Sequence, residues 1–415
     1  MGEVSPVEAS KRGLSNLAPA VRQYMLVTGN YWAFTLTDGA LRMLVVLHFH
    51  ELGYRPLEIA LLFLFYEFFG VVTNLTGGWL GARLGLNRTM NLGLLLQVVA
   101  LSMLLVPAAL LTVPWVMAAQ ALSGIAKDLN KMSAKSAIKL LVPADAQGRL
   151  YQWVALLTGS KNALKGAGFF LGGGLLVTVG FQGAVLAMAL VLALIWLLSM
   201  IYLRQDLGKS RNKPKFSQIF SKSPAINRLS AARLFLFAAR DVWFVVALPV
   251  YLAVNFQWDH WQVGGFLAVW IIGYGFVQTL APRFTGTGKA RGNLPDGRTA
   301  FAWALPLSLL PVVIAGSLFF GWEPEASLLV GLLLFGVLFA VNSSLHSYLI
   351  VSFADEDGVS LDVGFYYMAN AMGRLLGTLL SGWLFQAYGL TTCLLVSSLF
   401  VLLAAVFALR IPRHH

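Results

Sequence analysis

The chain has 415 residues, of which 58% are hydrophobic and 12% charged, with a mean hydropathy of +0.73 and a formal net charge of +12. Apolar content on that scale exceeds what a soluble domain can bury and marks a polytopic membrane protein. The single cysteine, Cys393, excludes an internal disulfide and a multi-thiolate metal site, and the distribution of the positive charge argues against a nucleic-acid partner.

A polar arm, residues 1–22, precedes any apolar run, so no cleavable signal peptide is expected and the arm is read as cytoplasmic. About twelve apolar segments long enough to cross a bilayer follow, at 23–49, 57–82, 89–110, 114–141, 150–177, 181–203, 226–253, 262–283, 299–319, 326–351, 363–386 and 390–410. Turn formers separate them, among them Pro56, Pro114, Pro143, Gly180, Pro324 and Gly389. The longest polar stretch, 204–225, carries Arg204, Lys209, Arg211, Lys213, Lys215 and Lys222 and divides the spans six and six. The expected organisation is therefore an arm (1–22), a six-helix half (23–203), a basic cytoplasmic linker (204–225), a second six-helix half (226–410) and a tail (411–415), whose His414 and His415 are assigned no role. With the arm inside, 20 of the 30 Lys and Arg residues fall on the arm, on cytoplasmic loops or at cytoplasmic helix ends, and only Arg55 falls in an outside loop. That asymmetry puts both termini in the cytoplasm.

The remaining nine cations lie at membrane depth: Arg42, Lys127, Lys131, Lys135, Lys161, Lys165, Arg233, Arg240 and Arg374. A charge at the bilayer centre costs about 2.5–3.5 kcal/mol on the mildest insertion scale, so these residues imply an anionic partner. Lys127, Lys131 and Lys135 recur every four residues in the fourth span, and Lys161 and Lys165 repeat that spacing in the fifth. A period of four stacks side chains on one helix face. Lys127, Lys131, Lys161 and Lys165 fall near mid-depth. Lys135 either joins their stripe or snorkels, and Lys139 is read as snorkelling to the interface. Asp38 and Arg42 in the first span either pair along one face or serve the cavity. Arg240 neighbours Asp241 in the seventh span, whereas Arg374 in the eleventh has no acidic neighbour in sequence and suits bidentate oxyanion contacts.

Together these residues imply a midplane cavity between the halves for a small, multiply negative substrate, phosphate-like or carboxylate-bearing. Its expected ligands are Arg42, Lys127, Asn130, Lys131, Lys161, Lys165, Arg240 and Arg374, with Lys135, Asn162, Asn342, His346 and Asn370 as secondary candidates. The asparagines serve either as hydroxyl ligands or as helix–helix glue. Asp38, Glu67, Asp128, Asp241 and His346 are the titratable groups available for proton coupling. No cofactor or metal is expected, and a monomer in the lipid bilayer is. A membrane-embedded enzyme or sensor is the reading from another class; the sequence offers no nucleophile–base pair or soluble catalytic domain to support it.

The layout of two six-helix halves about a basic linker resembles the major facilitator superfamily, whose fold is all-α with repeat-related halves. Lys165-x-x-Gly168-x-x-x-x-Gly173 matches Arg374-x-x-Gly377-x-x-x-x-Gly382 at an offset of 209 residues. The stretch from Gly78 through Gly81, Arg83 and Gly85 to Arg88 resembles that superfamily's cytoplasmic gating motif, with Ala82 where an aspartate is expected. Proton antiport is the coupling that this resemblance implies; a polyanion leaving a negative-inside cell can also run on the potential, about 2.3 kcal/mol per charge per 100 mV.

A narrower resemblance rests on Asn30-Tyr31-Trp32-Ala33-Phe34-Thr35-Leu36-Thr37-Asp38-Gly39-Ala40-Leu41-Arg42-Met43, on Leu52-Gly53-Tyr54, and on Phe65-Tyr66-Glu67-Phe68-Phe69-Gly70. It continues in the run from Ser123 to Ser136 that holds Lys127, Asp128, Asn130, Lys131 and Lys135, and in Gly159-Ser160-Lys161-Asn162-Ala163-Leu164-Lys165-Gly166. In these runs the chain resembles ArsJ, the organoarsenical efflux permeases of bacterial arsenic-resistance operons. The resemblance implies export of 1-arseno-3-phosphoglycerate across the bacterial inner membrane, with a functional link to glyceraldehyde-3-phosphate dehydrogenase, which makes that ester from arsenate. The alternative within the transporter class is an organophosphate or carboxylate exchanger unrelated to arsenic.

Overall fold

Long apolar runs with turn formers only at their ends leave the backbone one way to satisfy its polar groups in a bilayer, which is helix. In the computed structural model the described residues are 19–53, 62–143, 145–203, 207–210, 215, 220, 222–286 and 294–412. Most of the arm, Tyr54, Arg55, Pro56, much of the linker, and His414 and His415 lie outside them. Among the described residues the regular elements are α-helices and one short 3-10 turn at Ala108–Leu110. The helices are α1 (Pro19–Glu51), α2 (Leu64–Leu84), α3 (Leu86–Met103), α4 (Val113–Leu141), α5 (Gln147–Tyr202), α6 (Pro224–Phe244), α7 (Ala247–Asn255), α8 (His260–Thr285), α9 (Gly297–Phe320), α10 (Pro324–Phe353) and α11 (Val359–Leu409).

Two of these are hairpins. A straight helix of 56 residues would run about 84 Å, far beyond one bilayer. Yet Trp153, near the start of α5, stacks on Tyr24 at 4.1 Å, while Ser199, near its end, accepts a 2.8 Å hydrogen bond from Asn30. Both ends of α5 thus lie beside the first turns of α1, and the chain doubles back at Gly180, whose φ of 72° suits glycine. Similarly, Asp362 pairs with Lys222 at 3.2 Å while the Arg410 carbonyl accepts from Arg228 at 2.7 Å, so α11 reverses at Gly389 (φ 79°).

The helices α6 and α7 make one crossing broken at Val245–Val246. The apolar run at 226–253 gives no sign of that break apart from its proline. The cause is Pro249, whose ring and missing N–H disrupt the bond to the carbonyl four residues back, at Val245. The Ser381 hydroxyl from α11 accepts from the exposed N–H groups of Val246 and Ala247, at 3.4 and 3.1 Å. Counted through the hairpins and across this break, the described chain makes twelve passes, close to the spans expected from the sequence. By length and composition alone, six helical stretches qualify as membrane-crossing. The lysine-bearing α4 is not among them, because Lys127, Asp128, Lys131, Lys135 and Lys139 make it too charged.

Within each half, glycines set the closest helix contacts. A Cβ at Gly168 would stand 2.6 Å from the Leu36 carbonyl oxygen, and one at Gly377 would stand 2.8 Å from that of Ala238. The repeat-related glycines therefore play the same part, docking α5 on α1 and α11 on α6. Their partners in the repeat, Gly173 and Gly382, meet no such contact: one has only a Leu47 methyl at 3.8 Å and the other nothing within 4 Å.

The apolar cores show how the halves meet. One core mixes both halves at the face where the linker lies, joining Tyr31, Ile138 and Tyr151 to Leu349, Val363 and Tyr366. Toward the other face the cores separate, one built from the N-terminal half around Phe34, Leu44 and Leu101, the other from the C-terminal half around Trp243, Phe335 and Leu394. The molecule is closed at the linker face and parted at the opposite one.

Candidate functional site

The cleft between the halves receives seven partly exposed charged side chains near mid-depth: Arg42, Glu67, Lys127, Lys161, Lys165, Arg240 and Arg374. An ion-pair chain runs across it. Arg42 on α1 contacts the Glu67 carboxylate on α2 at 3.4 Å, and Arg374 on α11 reaches the same oxygen at 3.5 Å. The Nε of Arg374 turns back to Asp241 at 3.3 Å, and Arg240 closes the chain on Asp241 at 2.5 Å. The sequence offered Arg374 as an arginine without an acid. The structure corrects that: its two carboxylates are 133 and 307 positions away and come together only in the fold.

On α4 the lysines take different partners. Asp128 sits between Lys127 and Lys131, at 3.8 and 2.5 Å. Lys127 also rides over the Tyr66 ring, 3.8 Å from its centre. Tyr66 in turn donates to both oxygens of Asp38, at 2.9 and 3.0 Å. Asp38 and Arg42 therefore do not pair along α1, as their spacing allowed; each takes a partner from α2. Lys161 and Lys165 face the cleft near Arg374, and neither makes an ion pair or hydrogen bond among the described residues.

Lys135 neither snorkels nor reaches the open cleft. It is buried, donating to Thr158 of α5 at 2.9 Å and to the Tyr367 hydroxyl of α11. Lys139, expected to snorkel, instead donates to the Ser352 carbonyl of α10 at 2.8 Å. The Lys135–Tyr367 and Lys139–Ser352 bonds join the halves at the linker face.

The asparagines divide. Asn162 donates to Gln278 of α8 at 2.6 Å, crossing between the halves, and Asn370 accepts from Arg233 at 2.8 Å. Asn130 and Asn342 return their amides to the carbonyls of Ala126 and Leu338 in their own helices. Asn130 and Asn342 are fully buried and His346 is 2% exposed, so in this conformation none of the three offers surface to a ligand. Asn130 packs on Gly93 of α3, where a Cβ would collide with its amide, and so serves helix packing. The sequence reading passed over Tyr66, Tyr367 and Gln278; an aromatic or an amide at helical spacing gives no sign of which half it will touch.

The stretch from Gly78 to Arg88 packs closely against α11. A Cβ at Gly78 would stand 2.5 Å from the Ser360 carbonyl oxygen of α11, and one at Gly81 would stand 3.0 Å from the Ser360 hydroxyl. Ser360 donates to the Gly78 carbonyl at 2.8 Å. Gly85, at φ 97°, turns α2 into α3, Arg83 stacks over Trp79, and Arg88 is exposed in α3. At Ala82 the backbone carbonyl accepts from the linker N–H of Ser210 at 2.8 Å.

The profile of the Major Facilitator Superfamily matches residues 27–312. The chain belongs to the Major Facilitator Superfamily. It is a multi-pass membrane protein and a secondary transporter rather than an enzyme. A search of curated proteins returns no match. Among solved structures it is similar to the fucose:proton symporter of E. coli, at 13% identity and TM-score 0.72 over 96% of this chain and all of that one. It is also similar to the human organic anion transporter MFSD10, at 17% identity and TM-score 0.74 over 94% of this chain and all of that one. A bacterial homologue of the iron transporter ferroportin in an outward-facing state matches at 16% identity and TM-score 0.73, over 94% and 98% of the two chains. At these identities the likeness shows the fold alone. Within that superfamily fold, a molecule sealed at its linker face and parted opposite it holds one of the two end states of alternating access.

Proposed function

We propose that this superfamily member exports a small polyanion from the bacterial cytoplasm across the inner membrane, and that the polyanion is 1-arseno-3-phosphoglycerate. The observation that carries the reading is the pair Lys161 and Lys165, two cations at mid-membrane depth with no counter-ion in contact among the described residues. Near them Arg42, Lys127, Lys131, Arg240 and Arg374 bring the cations to seven, against the four carboxylates Asp38, Glu67, Asp128 and Asp241. Such an excess in a low-dielectric cleft repels cations and favours a ligand with several negative charges. The choice of the arsenate ester over other phosphate esters rests on the resemblance to ArsJ alone.

In the cycle that follows, oxyanions at the two ends of the substrate take hydrogen bonds from the lysines of α4 and α5 and from the arginine forks. Release occurs in the conformation seen here, sealed at the linker face. Loading requires the opposite state, in which the Lys135–Tyr367, Lys139–Ser352 and Gly78–Ser360 contacts part. Proton antiport, with Asp38, Glu67, Asp128 or Asp241 as carrier, or the membrane potential acting on the substrate's own charge, drives export.

The test is arsenic retention in cells given arsenate together with the matching dehydrogenase. Cells carrying the permease should lose arsenic faster and survive higher arsenate; equal retention with and without it sinks the reading. Counterflow of 3-phosphoglycerate in proteoliposomes, without arsenate, separates the general organophosphate exchanger from the arsenic-specific one.

A further inference from the structure

Four acids stand among the cleft cations, and they differ in one respect. Asp241 and Asp128 are buried, each held by cations of its own or the adjoining helix, and Asp38 is buried under the Tyr66 hydroxyl. The Glu67 side chain is 37% exposed. It contacts a cation from each half, Arg42 at 3.4 Å and Arg374 at 3.5 Å, and also faces Lys127 and Lys165. Four helices thus aim positive charge at one accessible carboxylate. Its contacts are longer than the 2.7–2.9 Å typical of charge-assisted hydrogen bonds, so it is loosely held.

We propose that Glu67 is a built-in competitor for the substrate, occupying the anion position between the halves until an oxyanion displaces it. This rests on reading the cleft as an anion site. The arginine geometry allows the exchange. Arg374 splits its fork, giving Nε to buried Asp241 and a terminal nitrogen to Glu67, so the terminal nitrogen can change partner while Asp241 keeps the side chain in place. Arg42 is likewise held independently, with its guanidinium 4.9 Å from the Phe63 ring centre and 5.3 Å from that of Tyr66.

The exchange also sets specificity. A monocarboxylate that displaces Glu67 replaces one carboxylate with another and gains little. A dianionic phosphate or arsenate group brings more charge and a third oxygen to the same cations, and so gains from the swap. Glu67 thus discriminates against the monocarboxylates that a merely cationic cleft would admit.

The experiment compares the full-length wild-type protein with Glu67→Gln, in lipid nanodiscs, by calorimetric titration with 3-phosphoglycerate, pyrophosphate and glycerate. Glu67→Gln should bind the phosphorylated anions roughly tenfold tighter, and it should bind glycerate with most of the discrimination gone. The gain should shrink when Arg374→Gln is added, because the competitor then has one site fewer to vacate. Glu67→Asp keeps the charge on a shorter arm and should show a smaller gain in the same direction, which serves if the glutamine variant does not fold. Unchanged or weaker affinity in Glu67→Gln, or a gain equal in the Arg374→Gln background, overturns the proposal. A gain for pyrophosphate but no binding of 3-phosphoglycerate keeps the competitor and rejects the substrate class. No binding of any anion to either protein at millimolar concentration rejects both.

Discussion

The two halves of this transporter differ in whether every cation at membrane depth has a partner among the described residues. In the C-terminal half every such arginine is braced. Arg233 lies 4.0 Å over Phe237 and bonds to Asn370 and Ser343, Arg240 holds Asp241, and Arg374 ties Asp241 to Glu67. In the N-terminal half, Lys161 and Lys165 reach the cleft with no ion pair or hydrogen bond among the described residues. A rigid, multi-donor guanidinium suits a frame, whereas a single ammonium on a flexible stem suits a ligand position that fills and empties. On the proposed reading, the difference makes the arginines of one half a fixed electrostatic wall and Lys161 and Lys165 of the other the position that substrate fills.

The wall is where substitution should cost most. Asp241→Asn removes the buried carboxylate that Arg240 and Arg374 share, while both arginines stay partly exposed to the cleft, and should destabilise the protein by about 1–3 kcal/mol. The check is thermal unfolding in detergent; an unchanged melting temperature would mean that the arginines are not braced by this acid. Next comes Lys135→Met, which removes the bond to Tyr367 that crosses the linker-face seal and the bond to Thr158 within the N-terminal half. Leaving those hydroxyls unpaired should cost about 1–3 kcal/mol, mostly in the closed state. Cysteines placed at the linker face should then label faster, and the buried Cys393 will contribute no background. Labelling at the wild-type rate contradicts this latch. Smaller again is Asn130→Ala, which removes an amide bonded only to its own helix and an oxygen that has no hydrogen-bond partner. Stability should stay within about 1 kcal/mol, and anion affinity should not change. A large loss of affinity would return Asn130 to the ligand set.

Much of this was legible in the chain. Bilayer thickness makes apolar run length a direct gauge of spans, and the glycines that reverse α5 and α11 announced themselves as turn formers. The break in the seventh crossing was legible too, through Pro249, and was missed because the run around it is uniformly apolar. The lysine stripe was readable from its spacing of four, but spacing does not say which neighbour a stripe meets. Asn130 lies one residue from Lys131 and yet faces α3 instead of the cleft. Partners were the least legible. Glu67 meets Arg374 across 307 positions of sequence, and no local pattern encodes that meeting.

The smallest expected effect on stability comes with the largest on binding, and that pairing tests the account most directly. In Lys161→Met/Lys165→Met, two charges that make no ion-pair contact among the described residues are replaced by apolar chains of similar length. Thermal stability and 3-phosphoglycerate affinity, measured on the same preparation, should move apart. The melting temperature should hold or rise, because no pair is broken, while affinity should fall by about 100-fold or more for two lost charge-assisted contacts. A lower melting temperature with affinity unchanged would show that these lysines brace the fold, and that the substrate position lies elsewhere.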